Sequence, residues 1–301
     1  MPKKNQLHVD QLLSNISVKY RNSEYIAMDM FPIIPVMKDK DLYRVYERNF
    51  RLPETSRADG ALANQHDFDV SNNSYVLEKH ALKDYVTDSQ EDNYDAASLK
   101  SDTVEELTDV ILRRVENHAA ALFTTTSWSL NVSLAAGAEW SSNTTTTNPI
   151  PIVDTAATTV INNSGFSPNK GILPRAGFIN AKNHVSVLDR VKYTSSAMTK
   201  EMLASLFGLE QLLVPTASID TAAEGVTASI SAIWGENMLV YYTPARATPR
   251  LPSAGYIFQK NMPAVKRWYD DEREATGIKV EKQWVHKVVA SLAGYLIANT
   301  N

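Results

Sequence analysis

Phe31-Pro32-Ile33-Ile34-Pro35-Val36, then Leu42-Tyr43-Arg44-Val45-Tyr46-Glu47-Arg48-Asn49-Phe50, then Pro53-Glu54-Thr55-Ser56-Arg57-Ala58-Asp59-Gly60 is the stretch on which the fold turns. The first segment is stiff and apolar, the second runs out, and the third carries turn residues. The chain returns through Phe68 to Val70 and Tyr75 to Leu77. From Phe31 to Val86 it reads as a long, charged two-stranded arm with nothing of its own to pack against. An isolated hairpin buries too little apolar surface to offset the entropy of ordering it. Such an arm needs a partner surface, and a neighbouring subunit is the favoured one. Arg44, Arg48, Arg51 and Arg57 interleave with Glu47, Glu54 and Asp59. Mixed signs suit a protein surface better than a phosphate backbone, where one sign would dominate. The candidate interface residues are therefore Arg44, Arg48, Arg51, Glu54, Arg57 and Asp59.

Working outward, residues 1–37 read as an N-terminal arm with a short helix from Val9 to Ile16, where Val9, Leu12, Leu13 and Ile16 hold helical spacing. Residues 38–97 are dense in charge of both signs, whereas Thr124 to Ile179 carries only Glu139, Asp154, Lys170 and Arg175. Between these regions lies the best helix in the chain. Asp102 can cap it, Glu105 sits at the capping-box position, and Val104, Leu107, Ile111, Val115 and Leu122 recur on one face through His118. Ser141 to Asn148 is polar and β-branched and reads as a solvated loop before Pro149. A mixed module follows, with a buried strand over Gly171 to Ile179 and helices over about Ala181–Asp189 and Thr199–Phe207. Strands are expected at Leu212–Val214 and Ala228–Ile233. Tyr256–Phe258, Ile278–Val285 and Val288–Ile297 read as long strands that end the chain.

Composition narrows the function. With 44% apolar and 9% aromatic residues, 301 positions supply a real core. There are no cysteines, which excludes disulfides, thiolate metal sites and a cysteine nucleophile. The longest apolar stretch, Val288 to Ala298, is too short for a bilayer, and no signal-like apolar run follows the first residues, so a soluble, non-membrane protein is expected. A net charge of −4 gives no global attraction to phosphates.

The 11 glycines form no phosphate-cradling turn, and there is no G-x-S-x-G elbow or H-E-x-x-H helix. No catalytic, cofactor-binding or metal residue is assigned, and no cofactor. The six histidines are scattered; His118 reads as a packed or surface polar residue and His184 as a helix-start residue. Asp84, Asp88, Glu91, Asp92 and Asp95 lack the alternating ligands and the glycine of a calcium loop, and read as a solvated face.

The order of these elements resembles a tailed-bacteriophage major capsid protein with the Hong Kong 97-type fold. Particular stretches carry the likeness: Phe31 to Val36 before the hairpin, Gly171-Ile172-Leu173-Pro174 followed by Asn183-His184 and Leu188, and Glu224-Gly225-Val226-Thr227 leading to Ile233-Trp234-Gly235. The resemblance implies an α+β fold with an N-terminal arm (1–37), an extended hairpin loop (38–97), and a first part of a peripheral domain holding the spine helix (98–149). It further implies an axial domain (150–250) and peripheral return strands (251–301). It implies a non-enzymatic shell protein of the virion, self-assembling as pentamers and hexamers in the host bacterial cytoplasm around double-stranded DNA. That DNA would be held without sequence-specific binding. Separate scaffolding, portal and decoration proteins are the further partners it allows. Lys79 and Lys83 near the loop base have no evident tip counterpart, so covalent cross-linking is not expected.

Three other readings stay open on sequence. An encapsulin-like compartment would show an inner-wall pocket for a cargo peptide. A soluble α/β enzyme with a dimerisation arm would be a stable dimer. A tail or baseplate protein would form rings or tubes.

Overall fold

The computed structural model describes residues 8–9, 25–46, 54–60, 62, 70–94, 98–192, 198–223, 225–247 and 252–301. The elements, in chain order, begin with β1 (His8–Val9), α1 (Ala27–Met30), β2 (Ile33–Pro35), β3 (Lys40–Tyr46), β4 (Val70–Val76) and β5 (Glu78–Thr87). There follow α2 (Asp88–Asp92), α3 (Leu99–Ala120), β6 (Leu130–Ser133), α4 (Pro149–Ser164), β7 (Lys170–Ile172), α5 (Arg175–Asn183), α6 (Val185–Val191) and α7 (Lys200–Leu206). The chain closes with β8 (Gln211–Leu213), β9 (Ser218–Asp220), β10 (Ile230–Ala232), β11 (Met238–Tyr241), β12 (Gly255–Asp270), β13 (Ala275–Val288) and β14 (Gly294–Ala298).

Two five-stranded sheets organise the molecule. In the first the order is β1-β12-β13-β5, and β2 also pairs with β12, in parallel. The second runs β6-β14-β11-β7-β8. The arm β3–β4 is a separate antiparallel pair, from Lys40 opposite Val76 to Tyr46 opposite Val70.

The spine helix α3 lies across the first sheet. Its 22 residues make a rod of roughly 33 Å. Val104, Ile111 and Val115 are buried among Ile278, Val280 and Trp284 of β13, with Leu107 packed beside them. The apolar face expected from sequence is thus the packed face, with Leu122 just beyond the helix end. The start differs: the helix begins at Leu99 with Ser98 as N-cap, and Asp102 lies inside it, accepting a hydrogen bond from the Tyr94 hydroxyl. Lys100 pairs with Glu91, so the extra first turn is held by the segment before it.

The sequence reading assigned no helix to 149–164, yet α4 fills this range. Its threonines suggest loop or strand, but Thr155, Thr158 and Thr159 each donate to the carbonyl four residues back, at 2.7, 2.8 and 2.7 Å. Asn148 caps the start by accepting the Ile150 N–H, Pro149 occupies the first turn, and Gly165 closes the end at φ 71°. Ile150, Val153, Ala156 and Val160 form its buried stripe.

Other expectations are corrected at the same level. The segment before Pro149 is two 3₁₀ turns, Trp140–Ser142 and Thr145–Thr147, and Thr147 is buried against His184 at 3.0 Å. The strand expected over 171–179 stops at Ile172, because α5 starts at Arg175 just after Pro174. The α7, β8 and β10 segments match their expected places within a residue or two. The last expected strand is interrupted by a 3₁₀ turn at Ser291–Ala293, and β14 joins the second sheet between β6 and β11. Val9 is in a strand opposite Lys266, not a helix; the rest of the helix expected over 9–16 lies outside the described residues. Among the described residues no helix is long and apolar enough to cross a membrane.

Candidate functional site

Strand geometry sorts the arm into two faces. Cross-strand partners share a face and alternate along each strand. Tyr43, Val45 and Tyr75 therefore turn one way, and Lys40, Leu42, Arg44, Ser74 and Val76 the other. The first set meets the body: Tyr75 stacks on Phe258 of β12 at 4.5 Å between ring centroids, and Tyr43 packs on the same ring at 5.2 Å. The second set faces outward, with Leu42 65% and Val76 58% exposed.

The expectation that the arm has nothing of its own to pack against is thus corrected at its root. The returning chain does not stay in the hairpin; beyond Leu77 it becomes β5, the edge strand paired with β13 from Glu78 opposite Trp284 to Thr87 opposite Ala275. Tyr75, Leu77, Tyr256 and Phe258 form a small buried cluster at the junction. Lys260 pairs with Asp39 at 2.6 Å, and the Leu77 N–H donates to the Asp39 carbonyl at 2.7 Å. Two aromatic pairs and a paired strand offset the ordering entropy at the root.

Of the six interface candidates, Arg44 is exposed on the outward face of β3, and Glu54, Arg57 and Asp59 are exposed in the segment 54–60. Arg48 and Arg51 lie outside the described residues. The Ser56 N–H donates to Glu54 at 2.7 Å and lowers its carboxyl pKa. The structure puts Arg44 and the other three on different segments, so they do not form one cluster on a single strand.

Around this root lie titratable groups that sequence reading left apart. Burial would raise the Glu281 carboxyl, but hydrogen bonds and charge from Lys279 and Lys266 outweigh it and hold it at about 2. Lys79 reaches the same carboxylate at 3.6 Å. On the opposite face of the sheet, Glu78 lies 3.4 Å from His80 Nε2 and 3.6 Å from His118 Nδ1. His80 stacks on Trp284 at 4.2 Å. Burial lowers both imidazoles, the Glu78 charge opposes the shift, and the Arg114 charge reinforces it. Nothing in spacing signals this cluster, because β5 and α3 come together only when the helix packs on the sheet. His184 caps α6 by accepting the Ser186 N–H at 3.2 Å, in the helix-start position expected for it. Asp88–Asp92 is a short helix, with Asp88 taking a hydrogen bond from the Tyr269 hydroxyl.

Deeper in the core, Glu116 of the spine helix accepts the Ala27 N–H at 2.6 Å and the Trp234 indole N–H at 2.7 Å. One buried carboxylate thereby joins the N-terminal segment and the approach to β11 to the spine. Burial pushes it up to about 7 against those two hydrogen bonds.

No protein-family model matches the chain. It is 25% identical over 308 aligned positions to the major capsid protein of Burkholderia phage BcepMu, covering 97% of each chain. It is 26% identical to a phage-related protein from Bordetella bronchiseptica RB50 of known crystal structure, with a TM-score of 0.80 and 98% of each chain covered. The capsid structure of cyanophage P-SCSP1u matches at a TM-score of 0.62, with 10% identity over 91% of this chain and 88% of that one. The chain thus has the α+β capsid fold of the Hong Kong 97 type and is a relative of phage major capsid proteins.

Proposed function

We propose that this chain is the major capsid protein of a tailed bacteriophage, a structural and non-enzymatic subunit that closes into an icosahedral shell. The observation that carries the reading is the arm. Its root is clamped by β5, Tyr43 and Tyr75, while its outward face keeps Leu42, Arg44 and Val76 uncovered. A surface anchored on one face and uncovered on the other is suited to lie over a neighbouring copy. A closed shell needs contacts that are individually weak, so that errors correct, and numerous, so that the whole holds. Mixed charge and scattered aliphatic groups meet both needs.

In this reading residues 38–97 are the extended loop, 98–149 and 251–301 the peripheral domain, and 150–250 the axial domain that meets its copies at five-fold and six-fold centres. Assembly takes place in the host cytoplasm, with scaffolding, portal and decoration proteins as separate partners. The near-neutral chain confines DNA without gripping it. Negative-stain electron microscopy of the purified protein, with its solution mass by light scattering, tests this. Uniform closed shells or five- and six-membered rings are expected; a monomer or dimer under every assembly condition would overturn it.

A further inference from the structure

We propose that Glu78, His80 and His118 form a site for one divalent transition-metal ion of the zinc type, which ties the root of the arm to the spine helix. The three donor atoms lie within 4.8 Å of one another. Two imidazoles and a carboxylate are a donor set that suits zinc, with a fourth position left for water. Metal–ligand bonds of about 2.0–2.1 Å in tetrahedral geometry put donors roughly 3.4 Å apart. The carboxylate-to-imidazole distances, 3.4 and 3.6 Å, already meet that.

The rings are held in place rather than free. His80 stacks on Trp284, and His118 stands edge-on to His80 with centroids 5.2 Å apart and planes at 89°. His80 Nε2 is buried beside the Glu78 carboxylate at 3.4 Å, so a metal held between them would offset the desolvation of that nitrogen. Glu78 and His80, two apart on β5, share the face turned toward α3. Arg114, whose positive charge reaches both rings, works against a dication, and the Glu78 carboxylate offsets it.

The mechanical consequence follows from connectivity. Glu78 follows Leu77, where the arm's returning strand passes into the sheet, and His118 lies in the last turn of the spine helix. A bound ion would fix the angle between arm and spine, the variable that decides whether the outward face reaches a neighbour. The site stands whether or not the chain builds shells.

The test uses the full chain as unassembled subunits, stripped with a chelator and titrated with Co(II), whose visible d–d absorption reports a tetrahedral site. One Co(II) per chain, displaced by Zn(II), is expected. His80→Asn and His118→Ala should each weaken binding at least about tenfold, Glu78→Gln should weaken it, and Arg114→Gln should tighten it. His80 and His118 both pack against Trp284, so if either variant fails to fold, the exposed Glu78→Gln carries the test. No stoichiometric Co(II) uptake by the parent, or histidine variants that bind as tightly as the parent, overturns the site.

Discussion

Glu116 shows how one residue can be placed by sequence and given its meaning only by packing. Its helix face is readable, yet a carboxylate on a spine reads as solvent-facing until Ala27 and Trp234 are seen to donate to it. Its folded-state pKa of about 7 lies above the ordinary 4.5, so the folded state favours the protonated form. The stability this contributes is fully present below pH 4.5 and is lost as pH rises through about 7, to the order of 3 kcal/mol. His286, buried and held down to about 4, slopes the other way as pH falls through that value. Thermal melting of unassembled subunits across this range should therefore be compared with Glu116→Gln, in which the loss between about pH 4.5 and 7 is removed. Unchanged pH dependence in that variant would refute the assignment. Glu116→Ala leaves two buried donors unpaired and should cost about 2–4 kcal/mol at all pH values.

Among elements, the spine helix was legible because its apolar residues recur at helical spacing over several turns, a signal that survives without context. Ile111 is 3% exposed at the middle of it. Ile111→Pro removes a backbone hydrogen bond and clashes with the preceding turn, at about 3 kcal/mol or more, and loses core packing as well. Soluble expression should collapse; normal yield of a monodisperse subunit would sink the spine assignment. Helix α4 was not legible, because threonine's preference for extended backbone is overridden by its hydroxyls bonding back along the helix and by a four-residue buried stripe. The end of β13 misled for a related reason: an apolar run shows burial but not which sheet receives it, and β14 crosses to the other one.

At the scale of the molecule, the proposed function gives the arm a purpose outside the chain. Deleting residues 52–64 should leave subunits with parental melting behaviour, since the clamp at Tyr75, Leu77 and β5 is untouched, while closed shells form in much lower yield. Shells of normal yield and stability after that deletion would show that the arm is not the clasp. What residue order alone settled was the succession of arm, spine, mixed module and return strands, and the absence of cysteine chemistry and nucleotide-binding turns. Those follow from local periodicity and composition, which need no knowledge of neighbours. The root of the arm, the crossing of β14, the shared carboxylates Glu116 and Glu281 and the Glu78–His80–His118 cluster were decided by tertiary structure. Each depends on residues far apart in the chain meeting across a sheet or helix, and pairing of that kind leaves no trace in local spacing.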